Sequence, residues 1–115
     1  MKLPYGDKTS LQQIIHKLET YSLDLNHSSG KHKAKLFQSK LGITTDNKEV
    51  LVTALCKIAA DSNEVQLTNV DEYGERYVII FELETDFGKS LILSAWIVRH
   101  SETYPRLTSV YPIRN

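Results

Sequence analysis

The sequence predicts an α+β fold, with three N-terminal helices packed on a four-stranded antiparallel sheet. Three observations carry this. Apolar residues recur at helical spacing up to about Asp61. Beyond Asp61 they alternate with the period of two that marks half-buried strands. Short turns join the alternating runs, so successive strands pair antiparallel. The 115 residues suit one domain, 1–115.

The first helix follows Thr9 and Ser10, with Leu11, Ile14, Ile15, Leu18 and Tyr21 on one face and a capping-box spacing between Ser10 and Gln13. Tyr21 to Gly30 is polar and rich in turn formers, hence a loop. Lys31 to Leu41 is the second helix; Ala34, Phe37 and Leu41 form its stripe, and Gly42 stops it. Asp46 and Glu49 have capping-box spacing ahead of the third, which turns Leu51, Val52, Leu55, Ile58 and Ala59 inward. Strands follow at Glu64 to Val70, Arg76 to Glu84, Lys89 to Arg99 and Arg106 to Tyr111. In the second, Tyr77, Ile79, Phe81 and Leu83 face the core, opposite Arg76, Glu82 and Glu84. In the third, Ile92, Ser94, Trp96 and Val98 share one face. In the fourth, strict alternation sets Arg106, Thr108 and Val110 against Leu107, Ser109 and Tyr111.

Composition bounds the function. Fourteen basic residues balance fourteen acidic ones, which excludes a strongly basic nucleic-acid coat but not a local basic patch. No apolar run is long enough to span a bilayer, so no membrane association is expected. The N-terminus has no apolar signal segment, and the single cysteine suits a reducing compartment. The expected location is therefore cytoplasmic.

Two segments can carry chemistry. The stretch from Asn26 to Lys35 gathers His27, Lys31, His32, Lys33 and Lys35 at the mouth of a helix. Free N–H groups and the helix dipole favour an anion there, and a histidine can move protons near neutral pH. The second segment runs from Arg99 and His100 through Arg106, Thr108, Ser109 and Tyr111. Cleavage of RNA by its own 2′-hydroxyl needs a base, an acid and donors or cations for the phosphorane charge. His32, Arg106, Thr108 or Ser109, and Tyr111 supply these types without a metal. The scheme requires His32 to point at the sheet, because consecutive helical residues diverge by about 100°. The competing expectation is plain structure, with a solvated lysine face and a half-buried strand. Trp96 and Cys56 read as core residues, and Ser94 lacks a nucleophile-elbow context. His16, and the pair His27 and His32, lack the partners of a zinc set, so neither a metal nor a cofactor is expected.

Several stretches together resemble a family of small bacterial domains of unknown function that occur alone and as C-terminal tips of polymorphic toxins. They are Tyr21 with Leu25-Asn26-His27, Gly30 to Phe37, Leu41-Gly42-Ile43, Asp71 to Gly74 with Arg76-Tyr77, Ser94 to Val98, and Pro105 to Tyr111. The order of elements also resembles the barnase–EndoU–colicin–RelE group of metal-independent ribonucleases. The resemblance implies an endoribonuclease-like toxin domain acting on RNA, with a co-encoded immunity or antitoxin protein as partner. The alternative is a non-catalytic interaction module, or an inactive relative, that binds such a partner.

Overall fold

The structure, a computed structural model, describes residues 1–113; the last two positions of the expected domain lie outside them. It is α+β as expected. Helices α1 (Leu11–Lys17), α2 (Lys31–Leu41) and α3 (Glu49–Asp61) precede strands β1 (Val65–Val70), β2 (Gly74–Thr85), β3 (Gly88–Arg99) and β4 (Pro105–Pro112). The sheet is antiparallel throughout, in the order β1-β2-β3-β4.

Ser10 caps α1 by accepting from the Gln13 N–H at 3.2 Å, but Gln13 does not reciprocate. Its amide crosses to β4, donating to the Leu107 carbonyl and accepting the Leu107 N–H, both at 2.8 Å. Ile14 and Leu18 are fully buried, whereas Leu11, expected on that face, is exposed at the first turn. The chain then winds one π turn, Leu18–Ser22. In α2 the expected stripe of Ala34, Phe37 and Leu41 is buried. Gly42 closes that helix at φ 66°, in the left-handed region glycine favours. The box expected at Asp46 and Glu49 lies upstream instead, formed by Thr44 and Asn47, because a 3-10 turn over Thr45–Asn47 precedes α3.

The helices cover one face of the sheet. That face presents Tyr77, Ile79, Ile92, Trp96 and Val98, all buried, with Phe81 and Leu83 partly so. Trp96 is a core residue, its indole N–H donating to Ser94 Oγ at 3.0 Å. Ser94 Oγ in turn donates to the Ile79 carbonyl at 2.9 Å, which makes it part of the core hydrogen bonding rather than a nucleophile.

β4 departs from strict alternation. Ala95 pairs with Ser109 and Trp96 with Leu107, so one residue bulges at Thr108. The bulge resets the phase, and Leu107 and Val110 both enter the core. Arg106, Ser109 and Tyr111, opposite Ile97, Ala95 and Leu93, are left on the outer face. The expected grouping of Val110 with Arg106, and of Leu107 with Ser109 and Tyr111, is corrected by this one insertion.

Replacing Gln13 with Ala leaves both main-chain groups of Leu107 unpaired beside the helical layer. Denaturant unfolding is expected to show a loss of about 1–3 kcal/mol, the usual cost of unsatisfied buried polar groups.

Candidate functional site

The mouth of α2 is closed by its own loop. His27 Nδ1 accepts the N–H groups of Ser29 (3.1 Å) and Gly30 (3.0 Å), and its ring packs edge-on against Tyr21. These bonds hold the loop ahead of the helix, and the Lys31 N–H at the first turn of α2 donates to the His27 carbonyl at 3.1 Å. On α2, His32 projects roughly opposite the buried stripe of Ala34 and Phe37 and is exposed. The requirement that it face the sheet is not met. Lys31 and Lys35 are exposed as well. Lys33 alone of this segment reaches β4, its ammonium lying 4.3 Å from the Tyr111 ring centroid.

The main concavity lies elsewhere, on the sheet face that no helix covers. An open cleft of about 650 Å³ is lined by Tyr73, Arg76, Arg99, His100, Ser101 and Thr108, with Glu72 at its rim and Ile97 as its floor. Strand register explains the gathering. Gly74 pairs with Arg99 and Arg76 with Ile97, while Ile97 also faces Arg106 across β4. A Cβ at Gly74 would lie 2.2 Å from the Val98 carbonyl oxygen, so only glycine permits this close approach of β2 to β3 at the cleft.

Two carboxylates organise the charges. Asp71 Oδ2 accepts from Arg76 Nε at 2.7 Å, and its Oδ1 accepts the Tyr73 and Gly74 N–H groups, fixing the β1–β2 turn. The Arg76 guanidinium, helped by those N–H groups, holds the Asp71 carboxyl below its ordinary value. Glu102 grips Arg106 with both oxygens, at 2.9 and 2.7 Å. That pairing lowers the Glu102 carboxyl and raises Arg106. Arg99 is the least committed cation: it lies 3.9 Å from a Glu102 already engaged by Arg106, and half of its side chain is exposed.

His100 has a defined tautomer. Its Nε2 lies 2.9 Å from the Asp71 carbonyl, which can only accept, so Nε2 donates and, in the neutral ring, Nδ1 has the lone pair. The Tyr77 phenol, by contrast, is pushed up to about 12 by burial first and then by its hydrogen bond to Glu75, which it donates at 2.8 Å.

The expected residues therefore fall into three groups. Arg99 and Thr108 line the cleft, with Arg106 on the adjoining strand face. Tyr111 belongs with Lys33, and Ser109 Oγ is buried without a hydrogen-bond partner. His27, Lys31, His32 and Lys35 stand apart on α2 and its loop. The cleft also takes in His100, which belongs to the second segment, and Tyr73 and Arg76, which lie outside both segments. Arg76 was already legible as outward-facing from the alternation of β2, and its pairing with Ile97 is what brings it to the cleft.

A family model described as a domain of unknown function (DUF6883) matches residues 2–114. The chain belongs to this family. No curated protein and no solved structure matches it. Among the described residues of this DUF6883 domain, no group of three or more His, Cys, Asp or Glu side chains is placed to hold a metal. No helix among them is long and apolar enough to cross a membrane.

Because both folded-state values are lowered, the Asp71 and Glu102 pairings stabilise the DUF6883 fold fully above the ordinary values, 3.8 and 4.5. That stability is lost as pH falls through the lower folded-state values. Melting temperature followed from neutral to strongly acid pH should drop in this window, and Asp71→Asn with Glu102→Gln should flatten the drop.

Proposed function

We propose that this domain is a metal-independent endoribonuclease-like domain acting on RNA, with its site in the sheet cleft rather than at the mouth of α2. The supporting observation is that one cleft is lined by His100, Arg76, Arg99, Thr108 and Tyr73. His100 Nδ1 takes the proton from a ribose 2′-hydroxyl, whose oxygen attacks the adjacent phosphorus. Arg76 and Arg99 hold the charge of the phosphorane, and Thr108 donates a hydrogen bond to it. The Tyr73 hydroxyl protonates the departing 5′-oxygen. The products are a 2′,3′-cyclic phosphate and a 5′-hydroxyl, and exchange with water then removes the proton that His100 gained and returns one to the Tyr73 oxygen. The resemblance to toxin tips and to the barnase–EndoU–colicin–RelE group supports the same reading. It adds a cytoplasmic RNA target and a co-encoded immunity or antitoxin protein.

A second reading, a non-catalytic interaction module, is favoured by the carboxylates. Asp71 and Glu102 already neutralise Arg76 and Arg106, and the whole chain has no excess of cations to draw RNA.

The test is end-labelled RNA incubated with purified protein in the presence of a chelator, scored for 2′,3′-cyclic phosphate ends. His100→Ala is expected to lower cleavage by about 10²–10⁴, the usual span of a general acid–base contribution. Arg99→Ala should weaken binding and reduce its salt dependence. His32→Ala should leave both unchanged. No cleavage by the wild-type protein at any dose overturns the enzyme reading in favour of the module.

A further inference from the structure

The two edges of the sheet are treated differently. At β4 the outer main-chain groups of Leu107 are held by the Gln13 amide, and α1 and α2 pack alongside. At β1 nothing comparable is present among the described residues. Val65 donates to the Met1 carbonyl at 3.4 Å, and the N-terminal amine donates to the Asn63 carbonyl at 2.9 Å. The first two residues of the chain thus start a strand beside β1 and cover only its first rung. Since the Val65 N–H points away from β2, the period of two turns the Leu67 N–H and carbonyl outward as well. Every residue of β1 after Val65 is exposed, including Leu67 at 50% and Val70 at 56%. The strand, Val65-Gln66-Leu67-Thr68-Asn69-Val70, carries no charge and no proline; of the usual protections of an open edge it has a bulge at Thr68, where its pairing with β2 shifts by one residue.

We infer that β1 is a docking edge for an extended segment of a partner protein, one with alternating apolar residues flanked at both ends by lysine or arginine. The main-chain groups of Leu67 supply the hydrogen bonds, and the side chains of Leu67 and Val70 supply apolar contact. Charge selects the occupant. Exposed Glu64 precedes the strand and exposed Glu72 follows it, beyond an Asp71 that is already paired with Arg76. Two copies paired antiparallel through β1 would bring Glu64 of each toward Glu72 of the other, which is like charge on like. A basic-flanked segment meets opposite charge at both ends.

The inference is independent of the cleft chemistry and is tested on the full chain by amide NMR. The probe is a short peptide of alternating valine and threonine with lysines at both ends, beside a control with glutamates in their place. The lysine peptide is expected to shift the Leu67 and Val70 amides, and the glutamate peptide to shift neither. Leu67→Pro removes an outward N–H without breaking the β1–β2 ladder, and should weaken binding by at least about tenfold. The double variant Glu64→Lys, Glu72→Lys leaves the edge main chain intact and should reverse the preference between the peptides. Equal shifts from both peptides, shifts from neither, or a wild-type dimer in sedimentation that Leu67→Pro dissociates would each overturn the proposal.

Discussion

One extra residue in β4 decides what the uncovered face of the sheet can offer. Without the bulge at Thr108, a strand that buries Leu107 would turn Val110 outward and carry Ser109 and Tyr111 into the core. With it, two apolar residues three apart both point at the helices. The intervening hydroxyls and the flanking Arg106 and Tyr111 stay on the other side. The Gln13 amide holds the strand at the residue beside the bulge, bonding the Leu107 groups that β3 does not reach. The cleft inherits its Thr108 wall from this arrangement, and the core inherits its closure.

The fold was largely legible because its signals are local. The stripe of Ala34, Phe37 and Leu41, the glycine that ends α2, and the alternation of Tyr77 and Ile79 each follow from spacing within a few residues. The site was less legible because it depends on register. Nothing near Arg76 in the chain announces His100; the two meet because Asp71 bonds both, through its carboxylate and its carbonyl. The lysine-rich segment at α2 misleads for a related reason. Helical geometry turns Lys31, His32 and Lys35 away from the layer that a shared site would need, and the His27 ring and carbonyl bind N–H groups of its own loop and of Lys31 rather than reaching a shared site.

Beside the cleft, Arg76 and Arg106 are each tied closely to a carboxylate, and Arg99 is held less closely. Asp71 and Glu102 each bind an arginine and each organise a turn, so the same carboxylates that shape the cleft also quench its field. What remains for a ligand is the guanidinium of Arg99, the unshared nitrogen of His100 and the free edges of Arg76. A zero net charge is consistent with such a surface, since its selectivity comes from a few placed donors rather than from long-range attraction.

The Gln13–Leu107 link spans 94 positions of sequence. Contacts this distant close the longest loops in the chain and form after the local ones. The β2–β3 hairpin, two twelve-residue strands across a tight turn, belongs to the local class and can zip as soon as both arms exist. During synthesis from the N-terminus, β3 therefore emerges and pairs on one side while its other side waits for β4. Until residues 105–112 leave the ribosome, the most apolar strand of the protein is itself an edge. This small domain is thus exposed to misassembly late in translation, over the interval in which its final strand is still being made.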